Sequence, residues 1–260
     1  MTTPASPRAR ILAVTSGKGG VGKTFFSANL AAALARRGER VLVIDADLGL
    51  ANLDVVLNLH PKITLHDVFT GKASLEDAIL PAPGGFSVLL AGSGLVEYSR
   101  LTPQVRDQLS EIILQLVPRF DRILLDTGAG ISDVVLYSVS LADDVLIVAT
   151  PEPTSMTDAY ATIKLLAVQQ GRREIRVVVN QVSVNGEGRT IRKQLQLVVD
   201  RFVGALLPDG DKPPQLELFG EVPLDPSVRE AVQKRQLLLE SMPGAPAAIA
   251  VAAIAGRMVS

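Results

Sequence analysis

The sequence predicts an α/β protein: a mainly parallel sheet flanked by helices on both faces. Two observations carry this. Short apolar runs recur at Ile11–Val14, Arg40–Ile44, Phe86–Leu90, Ile123–Leu125, Val145–Ala149 and Ile175–Val179, and segments with helical spacing lie between several of them. Runs that stay apolar at consecutive positions are what strands covered on both faces look like.

The elements follow in order. Met1 to Arg10 is polar and Pro-containing, reads as disordered, and lacks the apolar core of a signal peptide. Ile11–Val14 opens a strand–loop–helix–strand unit. The Gly-rich stretch from Gly17 to Gly22 follows, then Thr24 to Arg37 with Leu30, Leu34 and several alanines on one side. Gly38 suits the end of that helix, and Arg40–Ile44 is the second strand, closing on Asp45. Pro103 to Val117 reads as a helix with Val105, Leu109, Ile112 and Leu116 on one face, and Ile123–Leu125 lead to Asp126. Thr190 to Val203 carries a stripe of Ile191, Leu195, Val198 and Phe202. One domain over residues 11–240, followed by a tail or helix over 241–260, is the simplest organisation.

Composition narrows the function. The 260 residues hold 26 Lys+Arg against 27 Asp+Glu, and aromatics make up 4%, which argues for weak or no direct DNA binding. The cationic stretch with Arg172, Arg173, Arg176, Arg189, Arg192, Lys193 and Arg201 is the one local exception. Cysteine is absent, which excludes disulfides, thiolate metal sites and cysteine nucleophiles. His60 and His66 lack metal-ligand spacing and read as surface residues.

Gly17-Lys18-Gly19-Gly20-Val21-Gly22-Lys23-Thr24 fits G-x-x-x-x-G-K-[ST] between a predicted strand and helix. The glycines let backbone N–H groups turn toward phosphate oxygens, and the helix start adds its positive dipole end. Lys23 is placed to reach the β and γ phosphates and the Thr24 hydroxyl to sit on Mg²⁺, with Phe25 in the same first turn. Asp126, after an apolar run, suits the Mg²⁺ shell, and Gly128-Ala129-Gly130 a turn toward the γ-phosphate.

Lys18 gives this loop the form KGGxxGK[ST], and the chain from Ile11 to about Leu239 resembles the MinD/ParA family, P-loop ATPases of the SIMIBI class. The resemblance implies that Lys18 crosses a homodimer interface in the ATP state and contacts the partner's nucleotide. It implies that Asp47 orients the attacking water, that Asp45 supports the Mg²⁺ shell, and that Asn52 contacts nucleotide across the dimer. It further implies that Asn180, with Pro223 and Asp225, reads the adenine.

The strings DLGLANLD (47–54), Ser99-Arg100-Leu101-Thr102-Pro103 and Asp126-Thr127-Gly128-Ala129-Gly130-Ile131 look most like the branch of flagellar-number regulators, FlhG/FleN. That branch implies a cytoplasmic protein, recruited to membrane or cell pole, acting through a flagellar transcription activator or an FlhF-type GTPase. The FlhF-stimulating motif D-Q-A-x-x-L-R is absent ahead of the first strand. The wider family leaves a MinD/ParA-like positioning ATPase, acting on membrane, DNA or another cargo, as the alternative. The tail from Ala245 to Ser260 is apolar but Ala-rich, with Arg257 its one basic residue, so it reads better as a helix packed on the domain than as a reversible membrane anchor.

Overall fold

The computed structural model describes residues 8–49, 51–92, 101–208 and 210–259. Most of the expected loose N-terminus, Leu50 of the 47–54 string, the Ser99-Arg100 pair and Ser260 lie outside the described residues. The chain runs β1 (Arg10–Ser16), α1 (Lys23–Ala35), β2 (Val41–Ala46), α2 (Leu53–Leu57), α3 (Leu65–Phe69), α4 (Leu75–Ala78), β3 (Ile79–Pro81) and β4 (Ser87–Leu89). It continues through α5 (Pro103–Leu116), β5 (Arg122–Ala129), α6 (Asp133–Ser140), β6 (Asp144–Ala149), α7 (Pro153–Gln170) and β7 (Glu174–Val182). It closes with α8 (Glu187–Phe202), β8 (Gln215–Pro223), α9 (Pro226–Gln233), α10 (Leu238–Ser241) and α11 (Pro246–Val259).

The strands form one sheet in the order β3-β4-β2-β5-β1-β6-β7-β8, parallel throughout except for the antiparallel β3 edge. Strand β1 lies between β5 and β6, so the chain leaves it toward one side and later returns to build the other. Such a switch point is where open α/β sheets bind ligands, at the carboxyl ends of the strands.

One core layer packs between the sheet and α5, α6, α7 and α8; the other holds α1, α10 and α11. Helix α1 is buried on nearly every side rather than on the single face its leucines suggest, because α11 covers its outer surface. Its alanines, meeting Ala247, Ala248 and Ala255 of α11, let the two helices approach closely. The expected strands all form. Strand β8 was not evident, because Glu217, Gly220 and Glu221 interrupt its apolar residues, which an edge strand tolerates.

The stripe expected on α8 is corrected. Ile191 and Leu195 are buried, but the next buried apolar residues are Val199 and Val203, while Val198 and Phe202 are 37% and 50% exposed. The helix packs along a strict i, i+4 row, and the alternative row turns outward. His66 is also placed differently, half-buried on α3 rather than in a surface loop.

The final helix belongs to the domain core. Val251, Ile254 and Ala255 are buried, and Arg122, ion-paired to Glu39 at 2.7 Å, also donates to the carbonyl of Met258 at 3.1 Å. Among the described residues no helix is long and apolar enough to cross a membrane. Replacing Arg122 with alanine leaves half-buried Glu39 without its cation and the helix end uncapped. Arg122→Ala lowers unfolding stability by roughly 3 kcal/mol in urea titration.

Candidate nucleotide site

The phosphate loop joins the end of β1 to the start of α1, and its shape depends on its glycines. A Cβ at Gly17 would lie 2.1 Å from the carbonyl oxygen of Asp158, so the loop rests directly on the α7 backbone. Gly22 caps α1 at φ +92°, and a Cβ there would meet Asn180 Nδ2 at 2.6 Å. The first turn of α1 carries no acidic residue, so nothing opposes its positive end where phosphates would bind. The first-turn N–H groups, Phe25's included, need partners from outside the helix, while the Phe25 side chain is buried in the core.

Lys23 is buried, and its Nζ donates to Ser16 Oγ at 2.9 Å. Burial lowers its pKa, against the pull of Asp126 and Asp47. Asp126 and Asp45 are paired across β5 and β2 at the same register, so both carboxylates reach the α1 side of the sheet. Asp126 lies within β5 rather than at its end, since the strand continues to Ala129. Ser27 Oγ donates to Asp126 at 2.8 Å, and the Thr24 hydroxyl bonds to it as well. Burial pushes Asp126 up to about 6 despite those bonds. Asp45 is raised well above the ordinary carboxylate range, first by burial and then by Asp126.

A hydroxyl and a carboxylate on hard oxygen, beside a phosphate cradle, fit Mg²⁺, which binds through one or two carboxylates plus phosphate and water. No group of three or more His, Cys, Asp or Glu side chains that could hold a metal ion occurs among the described residues. Asp45 uses its oxygens locally: it accepts from Asp47 N at 3.1 Å and from Leu53 N at 3.3 Å, so it braces the loop carrying Asp47. The Asp47 carboxylate lies against Gly128, where an added Cβ would be 3.3 Å away. Asn52 is exposed at the start of α2.

Lys18 takes different partners from Lys23. Its Nζ meets Glu152 Oε2 at 2.6 Å and Thr154 Oγ1 at 3.0 Å, at the start of α7. The base-reading candidates gather at the ends of β7 and β8. Asn180 donates to Val21 O at 2.8 Å, tying β7 to the phosphate loop, and its Oδ1 accepts from Gln181 N. Its register partner is Val222, and Pro223 pairs with Val182. Asp225 has a structural duty: it accepts from Ser227 N at 2.9 Å and from Ala247 N at 3.1 Å, so one carboxylate starts both α9 and α11. Burial opposes the ionised form, but these bonds outweigh it and hold the carboxyl below its ordinary range.

Sequence reasoning missed Ser16, Ser27, Glu152 and Thr154. Ser27 was open to detection, since it follows Lys23 by four positions and so shares its helix face. Glu152 needed the sheet order, which places the end of β6 beside β1.

Comparison with known proteins adds the family. The CobQ/CobB/MinD/ParA nucleotide binding domain matches residues 12–238. The chain belongs to that family. It is 43% identical over 251 residues to the antiactivator FleN of Pseudomonas aeruginosa, covering 96% of this chain and 86% of that protein. It is 32% identical over 253 residues to the flagellum site-determining protein YlxH of Helicobacter pylori, covering 96% and 82%. The solved structure of MinD complexed with Mg-ADP from Pyrococcus horikoshii has a TM-score of 0.75 at 27% identity, covering 96% of each chain. Like its family, the chain is a Mg²⁺-dependent P-loop ATPase.

The buried carboxylates give the site a pH signature. Between 3.8 and about 6, folded Asp126 keeps a proton that the unfolded chain has lost, so this residue's contribution to stability falls as pH rises through that window. In Mg²⁺-free buffer at pH 7.5, Asp126→Asn is more stable than wild type by about 1 kcal/mol or more, and the gain shrinks toward zero at pH 4, measured by urea denaturation. The same variant loses Mg²⁺-dependent ATP hydrolysis by about 100-fold or more. Because protons and Mg²⁺ compete for Asp126, apparent Mg²⁺ affinity falls on acidification below about pH 6, measured by Mg²⁺ titration at fixed ATP.

Proposed function

We propose that this chain is an ATP-driven switch that pairs with a second copy when ATP is bound, and that the pair regulates flagellar number, placement or biosynthesis through partner proteins. The observation that carries the reading is the separation of the two loop lysines. Lys23 is buried at the phosphate loop, whereas Lys18 is partly exposed and held by an ion pair to exposed Glu152. Such a surface pair contributes only about 0–1 kcal/mol. Lys18 is therefore free to exchange Glu152 for the phosphates of a partner's nucleotide at little cost.

Each remaining residue has a part in the switch. Thr24 and Asp126 would hold Mg²⁺, which neutralises developing phosphate charge. Asp47, braced by Asp45 and seated against Gly128, orients a water for in-line attack. Asn180, Pro223 and the backbone around Asp225 form the base-reading wall, and Asn52 faces the partner. The flagellar assignment draws on the similarity to FleN and YlxH. A transcription activator or an FlhF-type GTPase fits as the partner class, and turnover is slow until the partner binds.

The DNA-gated alternative is less well supported. Arg172 donates to the carbonyls of Val139, Ala142 and Asp143, Arg173 pairs with Asp211, Arg176 lies between Asp144 and Glu217, and Arg192 bonds Leu216 O. Those arginines are occupied in holding the fold. A membrane role for α11 is likewise disfavoured, because its apolar stripe faces inward.

Asp47→Ala binds ATP normally, loses hydrolysis by about 100-fold or more, and accumulates as a dimer in light scattering. Lys18→Ala binds nucleotide yet stays monomeric, and cells carrying it in place of wild type show an altered flagellar count. A fully active Lys18→Ala protein would remove the trans role of that lysine.

A further inference from the structure

Ser16 stands just before the phosphate loop and is fully buried. An ammonium can only donate, so at 2.9 Å Ser16 Oγ must accept from Lys23 Nζ. The single hydroxyl proton is then committed to the carbonyl of Lys18, 2.7 Å away. The Ser16 backbone takes part as well: its carbonyl accepts from Gly130 N at 2.9 Å, at the glycine turn after β5. A register shift between β1 and β5, from Val14 facing Asp126 to Ser16 facing Ala129, makes that contact available.

We propose that Ser16 is a positioning residue for ATP hydrolysis: its hydroxyl tethers the backbone at Lys18, and so fixes where that lysine leaves the loop to act across the dimer. This rests on the reading of Lys18 given above. The tether survives nucleotide binding. When phosphate oxygens draw the Lys23 ammonium away, Ser16 loses a donor, but its own proton stays on the Lys18 carbonyl. Lys23 then has phosphate as its partner, so losing the hydroxyl does little to ATP binding. Lys18 has no comparable substitute for its backbone tether, so the loss falls on pairing and on the chemical step.

The test compares Ser16→Ala, Ser16→Cys and Ser16→Thr with wild type in ATP affinity, kcat, dimer fraction and melting temperature. Alanine and cysteine keep ATP affinity within about threefold while kcat falls about tenfold and the dimer fraction drops with it. Cysteine nearly matches serine in size but bonds weakly, so it separates hydrogen bonding from packing. Threonine, which keeps the hydroxyl, restores most of kcat. The inference is overturned if cysteine behaves as wild type, if threonine fails to rescue in a folded protein, or if kcat per bound ATP is unchanged while affinity and melting temperature fall together. Wild-type protein that binds ATP without ever pairing would remove the reading of Lys18 beneath it. A wild type that pairs, with Ser16→Ala pairing and turning over equally well, overturns this inference alone.

Discussion

Two carboxylates stand side by side under the phosphate loop, on neighbouring strands and out of contact with water. Placing Asp45 and Asp126 there is unfavourable without a counter-charge, and Lys23, also buried, is the nearest protein cation to Asp126. The surrounding structure lessens that cost. Hydroxyls from Thr24 and Ser27 point at Asp126, and backbone N–H groups of Asp47 and Leu53 point at Asp45. A divalent cation would supply the counter-charge these carboxylates lack, while the Lys23 ammonium and the loop N–H groups would answer the phosphates.

The same arrangement explains how occupancy is communicated. Asp45 holds the segment that carries Asp47, so on the proposed roles a change in charge beside Asp126 bears directly on Asp47. On the other side of β1, Asn180 ties the phosphate loop to the end of β7, and Gly17 seats it on α7. The phosphate loop, the proposed base site at Asn180 and the Lys18–Glu152 contact are thus all one bond from the same eight residues. A switch requires that coupling, and a fold that separated these parts would have to build it from longer paths.

Much of this was legible in the chain. The central strands were readable because burial on both faces leaves unbroken apolar runs, and the phosphate loop because its glycines meet steric demands of the backbone. What escaped has equally physical reasons. Strand β8 is an edge, so Glu217 can face solvent and pair with Arg176 and Arg257, which disguises the pattern. The α8 stripe was misread because two rows of apolar residues share that helix and only packing selects one. Glu152 could not be assigned to Lys18, since 134 positions separate them and only the sheet order brings them together. Asp225 matched a base-contacting pattern, while one of its two helix-starting bonds goes to the distant Ala247.

That double duty of Asp225 complicates experiment. One side chain launches two helices from a single point, so any replacement there loosens α9 and α11 together, beside the proposed base wall. An investigator who mutated it to probe purine selectivity would record weaker nucleotide uptake, and could mistake a damaged scaffold for a lost ligand contact.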